Sequence, residues 1–201
     1  MTALEATPLR LAFDRRISAG EALARDAEAV ARACSDMARR FAAGGKLIVF
    51  GSGSAATDAQ HVAVEFVHPV IVGKRAFPAI SLTGDVATLT GVASREGVDQ
   101  VFARQLRLLA DPGDIALGLC TDDFCPMVVG GLRAARELGL LTVALMGGNG
   151  DSAAGADHVF EVRSDDPRVV KEVHVTTYHV LWELVHVFFE HPGVLDVGVP
   201  S

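Results

Sequence analysis

The amino-acid sequence predicts an α/β fold in a single domain, a parallel β-sheet with helices packed on both faces. Five short apolar runs, each flanked by Gly, Pro or charge, alternate with helical segments along the 201-residue chain. That strand–helix rhythm is the pattern of a doubly covered parallel sheet. Half of the residues are hydrophobic, enough for one well-buried core. No internal repeat, low-complexity tract or linker divides the chain. Residues 10–190 are therefore expected to form the domain, with 191–201 a loosely held tail.

Each element has its own justification. In residues 9–43, Leu23, Ala27, Val30, Cys34, Met37 and Phe41 recur at three- and four-residue spacing. That spacing marks an amphipathic helix, and Gly44 and Gly45 stop it. The runs KLIVFG (46–51), PAISL (78–82), DIALGLC (114–120), LLTVALMG (140–147) and HVFEV (158–162) are expected to be buried strands. Helical segments near 55–67, 86–93, 98–110 and 126–138 join them. Residues 166–191 should form one long helix, with Pro167 near its start and Pro192 ending it.

Composition limits the partners. A formal net charge of −7 argues against a general nucleic-acid surface. Cys34, Cys120 and Cys125 are too few and too scattered for a disulfide framework, which favours a reducing cytoplasm. The N-terminus has no apolar signal core, and no run is long enough to span a membrane.

Ligands of doubly wound sheets bind beyond the carboxyl ends of the strands. After the first strand comes GSGSAATDAQH (51–61), where Gly51 and Gly53 allow a tight turn. Ser52, Ser54 and Thr57 there supply hydroxyls at a helix N-terminus, the make-up of an anion cradle. Ala56 breaks the dinucleotide-binding glycine spacing. His61 and Glu65 share one helical face, as a metal-binding or proton-transfer pair or as an ordinary helical ion pair. On the last helix, His179 and His186 share a face with Glu183 between them, and His174 precedes them. At most one of these histidines is expected to be functional, and spacing does not choose it. In LGLCTDDFCP (117–126), the strand-to-helix turn that would suit a phosphate carries Asp122 and Asp123.

Together, GSGSAATDAQHVAVE (51–65), FPAISLTGD, TLTGVAS, VFARQLRLLADPGDIALGLCT, LRAARELGLLTVALMGGNG and EVHVTTYH resemble the sugar isomerase (SIS) family. Its phosphoheptose isomerase branch, which converts sedoheptulose 7-phosphate into a heptose phosphate, is the most similar. The resemblance covers about residues 10–190. It implies a flavodoxin-like five-stranded parallel sheet with long N- and C-terminal helices, in a homotetramer whose sites draw on more than one subunit. It also implies catalysis by Glu65 and His179, and zinc held by His61, Glu65 and His179. Ser52, Gly53, Ser54, Thr121, Asp122 and Lys171 would face the substrate.

The chain departs from the family pattern at several positions. Lys171 stands where the family has a Gln, and a lysine is a poor zinc partner; it is expected to lie against Glu65. CTDDFC replaces the phosphate loop S-T-S-G-N-S, keeping only Thr121. Ser52 and Ala55 replace an Asn and a Ser, and Arg168 replaces an Asp. A carboxylate beside a phosphate costs roughly 4 kcal/mol per charge pair at an effective dielectric near 20. As helix caps, Asp122 and Asp123 would instead be comfortable, each gaining about 0.3–1 kcal/mol while consuming the N–H groups a phosphate needs.

Three functions fit these residues. The first is aldose–ketose isomerisation of a sugar or sugar phosphate by a proton shuttle through an enediol. The second is a non-catalytic SIS protein that binds a ligand or partner as an oligomeric scaffold. The third is a metal or redox accessory role for Cys120, Cys125 and the acids between them, although C-x-x-x-x-C is no recognised zinc spacing and such cysteines are often just small buried residues.

Overall fold

The computed structural model describes residues 8–122, 124–148, 153 and 155–193. Five strands form one sheet: β1 (Leu47–Gly51), β2 (Ala79–Ser81), β3 (Ile115–Cys120), β4 (Leu141–Gly147) and β5 (His158–Val162). The spatial order is β2-β1-β3-β4-β5 and every pairing is parallel. The helices are α1 (Pro8–Arg25), α2 (Ala27–Ala42), α3 (Ala55–Val67), α4 (Val86–Glu96), α5 (Val101–Leu109), α6 (Pro126–Glu137) and α7 (Pro167–Glu190). A 3-10 turn at Val98–Gln100 leads into α5.

Strand side chains alternate between two cores. Leu47, Val49, Leu117, Leu119, Val143 and Leu145 face α2, α3 and α7. Ile48, Phe50, Ala116, Cys120, Ala144 and Met146 face α5 and α6. Two glycines set the approach of helices to the sheet. A Cβ on Gly51 would lie 2.5 Å from the Ala55 carbonyl oxygen, so only glycine lets α3 start tight against β1. A Cβ on Gly118 would meet Val128 at 2.9 Å, so α6 packs flush on β3.

The structure revises three expectations. The N-terminal helix is two helices, interrupted at Asp26, whose N–H bonds to the Leu23 carbonyl in a tighter turn. The two halves pack differently: α1 lies on α7 and β5, α2 on α7 and β4. β2 is an edge strand rather than a buried one, and Ile80 is exposed. The segment 98–110 starts as a 3-10 turn after Gly97, whose φ of 102° suits glycine. No helix among the described residues is long and apolar enough to cross a membrane.

Candidate active site

Helices α3 and α7 both start at the carboxyl edge of the sheet and lie side by side. Their contacts advance in step along the seam: Lys171 with Ser54 and Asp58, Tyr178 with His61, and Trp182 with Glu65. The start of α7 is well fixed. Pro167 occupies its first turn, and Asp166 accepts from the Arg168 backbone N–H. Asp166 also takes two bonds from the Arg168 guanidinium, which hold its carboxyl at about 2. Arg168 is thus exposed and engaged by Asp166 at the helix start.

At the centre of the seam, His61 Nε2 lies 3.1 Å from Glu65 Oε1, as their helical spacing predicts. Tyr178 Oη lies 2.8 Å from His61 Nδ1. Burial, reinforced by the charges of Asp58 and Glu65, pushes the Tyr178 phenol up, so it stays protonated. The phenol then donates to Nδ1, which leaves the proton on Nε2 for Glu65. The His179 ring meets the His61 ring edge-on, 5.2 Å between centroids. Glu65 is buried while both histidines are half-exposed, so the group opens to solvent through its imidazoles. Trp182 Nε1 donates to the Glu65 carbonyl at 2.9 Å and fixes the helix backbone beneath the carboxylate.

One ligand atom each from His61, Glu65 and His179 all lie within 4.8 Å of one another. Two imidazoles and one carboxylate, with an open side, fit the donor set of a catalytic zinc ion. The Tyr178 oxygen suits this use as well, because it can accept from Nδ1–H when Nε2 binds a metal.

Lys171 does not lie against Glu65. Its ammonium donates to the Ser54 carbonyl at 2.8 Å and to Asp58 Oδ2 at 2.5 Å, with Thr57 Oγ1 at 3.4 Å. Two turns before His179 on α7, it faces the first turn of α3, where the buried Asp58 carboxylate requires a cation. One turn on, His174 is fully buried and neither ring nitrogen has a hydrogen-bond partner among the described residues. Burial pulls it down to about 4, so it is neutral.

The β3–α6 loop also departs from expectation. The cap residue of α6 is Cys125, no side-chain oxygen caps the helix, and its first turn holds no acid. Asp122 is exposed three residues earlier and does not cap; Asp123 lies outside the described residues. Chain geometry explains this: the extended backbone of Cys125 and Pro126 begin the helix too late for Asp122 to reach its amides. Thr121 and Asp122 line an open cavity of 800 Å³ with Gly148, Arg163 and Ser164. Ser52 and Gly53 line a separate cavity of 360 Å³ with Thr83, Phe102 and Met127. The structure therefore gathers His61, Glu65 and His179 and ties Lys171 to Ser54, but divides the other substrate-facing candidates between two cavities.

Sequence reasoning passed over Tyr178, Trp182 and the role of Asp58. Tyr178 and Trp182 are the chain's single Tyr and single Trp, set around His179, which was the signal available.

The SIS domain profile matches residues 15–147. A phosphoheptose isomerase from Solidesulfovibrio magneticus is 41% identical over 173 residues, covering 86% of this chain and 84% of that protein. The chain belongs to the SIS domain family, on its phosphoheptose isomerase branch. The fold agrees. A phosphoheptose isomerase structure from Francisella tularensis superposes with a TM-score of 0.83 at 30% identity, covering 93% of this chain and all (100%) of that one. One from Neisseria gonorrhoeae gives a TM-score of 0.81 at 26% identity, covering 89% and 97%. Within this SIS protein, the α3–α7 seam is where acid–base groups from distant parts of the chain converge.

Proposed function

We propose that this protein is an aldose–ketose isomerase of sugar phosphates, working at the α3–α7 seam. The carrying observation is the grouping of His61, Glu65 and His179 within reach of one small ligand, and the phosphoheptose isomerase relatives support the substrate class. Nothing in the comparisons favours a non-catalytic scaffold.

Isomerisation moves one hydrogen between neighbouring carbons. Glu65 takes the proton from the carbon beside the ketose carbonyl, and the freed electron pair forms the C=C bond of an enediolate. His179 protonates the developing oxyanion and then takes the proton of the neighbouring hydroxyl, whose oxygen becomes the aldehyde as Glu65 returns its proton to the former carbonyl carbon. His61, held between Tyr178 and Glu65, orients the carboxylate. Zinc, held by His61, Glu65 and His179, would polarise the sugar carbonyl as a Lewis acid. Ligation and proton transfer compete for the same groups, so metal content and rate belong on one preparation.

The test is isotopic. The protein is incubated in deuterated water with sedoheptulose 7-phosphate and, separately, with unphosphorylated sedoheptulose. Deuterium entering the carbon beside the carbonyl with the phosphate ester supports the reading. Exchange with the free sugar alone makes the loop specific for unphosphorylated ligands, and exchange with neither overturns the isomerase.

We also infer a homotetramer in the cytoplasm. Leu11, Phe13 and Ile17 on α1, and Val64, Val67, Val70, Ile71 and Val72 around the end of α3, are exposed apolar residues that a second copy would cover. Three free cysteines suit a reducing compartment. A monomer in light scattering at micromolar concentration would remove the assembly.

A further inference from the structure

We propose that the 360 Å³ cavity beside the first glycine-rich turn is a binding site for a small uncharged molecule, one aromatic ring carrying a hydroxyl. The proposal does not depend on the isomerase reading, because none of His61, Glu65 and His179 lines the cavity.

The cavity exists because α4 stands off from the core. Its sequence, VATLTGVASRE, turns only Leu89, Val92 and Ala93 toward the sheet, and none of its residues is buried. Both ends of the helix are fixed. Asp85 caps the start, accepting from the Thr88 N–H at 3.1 Å and the Thr88 hydroxyl at 2.6 Å. Gly97, with its φ of 102°, leads the chain into the 3-10 turn before α5. So anchored, α4 roofs the space above the buried Val101 and Phe102 without filling it. Apolar walls with nothing between them forgo dispersion contacts, and a molecule of the right size restores them. An apolar cavity of roughly 150 Å³ is enough to take benzene, so this one has room for a substituted ring.

The lining selects the occupant. It contains no charged residue. Leu89, Ala93, Val98, Phe102 and Met127 supply apolar wall, and a phenyl ring together with a thioether sulfur suits an aromatic guest. The polar groups are the hydroxyls of Ser52, Thr83 and Thr90, and two of their three protons are already used. Thr83 donates to the Ala56 carbonyl at 3.1 Å and Thr90 to the Val86 carbonyl at 2.7 Å, which leaves lone pairs on both oxygens. Ser52 Oγ has only the weak acceptor Met127 Sδ, at 3.7 Å, among the described residues. A hydroxyl on the guest therefore finds an acceptor. An anion does not find donors: the Ala55 and Ala56 amides of the turn are bonded to the Ser52 and Gly53 carbonyls, both at 3.1 Å. A sugar phosphate would meet no cation here and too few partners for its hydroxyls.

The experiment titrates p-cresol into the full chain, isotope-labelled in its amides and methionine methyls, and follows it by NMR at neutral pH. The expected result is saturable shifts confined to the amides of Ser52, Gly53, Thr83, Leu89 and Ala93, with a nuclear Overhauser contact between the Met127 methyl and the cresol ring. Toluene, which lacks the hydroxyl, should bind at the same residues roughly fivefold more weakly, the worth of one hydrogen bond. Ala93→Phe, on the half-buried inner side of α4, fills the space and should remove saturable binding with the circular dichroism unchanged. The Met127 contact is read in the unsubstituted protein, so the result does not depend on that variant folding. Four outcomes overturn the proposal: no saturable binding, as when a second copy covers the mouth; shifts on the exposed apolar residues of α1 instead; toluene binding as tightly as p-cresol; or sedoheptulose 7-phosphate saturating the same residues more tightly.

Discussion

The α3–α7 seam and the β3–α6 loop sit at the same edge of the sheet and have opposite designs. In the seam, polar groups are held by partners from the facing helix: Lys171 by Asp58 and Ser54, His61 by Tyr178, the Glu65 backbone by Trp182. In the loop, Asp122 and Phe124 face solvent while the two cysteines turn into the core. Where a change breaks a buried pairing between two helices, it exposes the partner left behind to an unpaid desolvation cost. An exposed loop residue has no such partner. The seam therefore keeps the acid–base geometry, and the loop is where this chain has room to differ from its relatives.

The sharpest way to break the comparison is to remove charge from each region. Glu65→Gln should lower kcat by about 10²–10⁴-fold, the usual worth of a positioned acid or base, with the fold intact by circular dichroism. Asp122→Asn should change it less than about twofold, as expected of an exposed side chain outside the reacting group. An equal fall for both variants would put the loop inside the chemistry.

Acid stability tests the seam's interior. His174 is pulled down by burial to about 4 from 6.5, so the unfolded chain binds more protons between those values. Its contribution to stability is full above about pH 6.5 and is lost as pH falls toward 4. The loss is on the order of 3 kcal/mol from a shift of that size. Denaturant titrations across this range should show the acid limb, and His174→Leu should flatten it. An unchanged slope would mean that a charge on His174 finds a partner inside the fold.

Smaller effects sharpen the picture. Lys171→Met leaves the Asp58 carboxylate buried without its cation and should cost about 2 kcal/mol in urea unfolding. If Lys171 instead screened the His61–Glu65–His179 group, Lys171→Met would raise zinc content without that loss. Tyr178→Phe removes the hydrogen bond at His61 Nδ1 and should lower activity or zinc affinity about 10-fold, the lower end for an orienting partner. No change in either would make the phenol a packing group only.

What the sequence by itself determined is largely what local periodicity can encode. Apolar runs marked all five strands. The helical period put His61 and Glu65 on one face, and Pro167 marked the start of α7. These features depend on residues within a turn or two of each other. Tertiary structure decided the rest. It broke the first helix at Asp26 without a Gly or Pro to announce it, and left β2 at an edge where only one neighbour covers it. It matched Lys171 to Asp58 rather than Glu65, set Tyr178 and Trp182 behind the reacting pair, and started α6 at Cys125 with no side-chain cap instead of a capping carboxylate. Each outcome depends on the axial register of one element against another. Side-chain packing across the sheet fixes that register, and no short-range pattern in the chain records it.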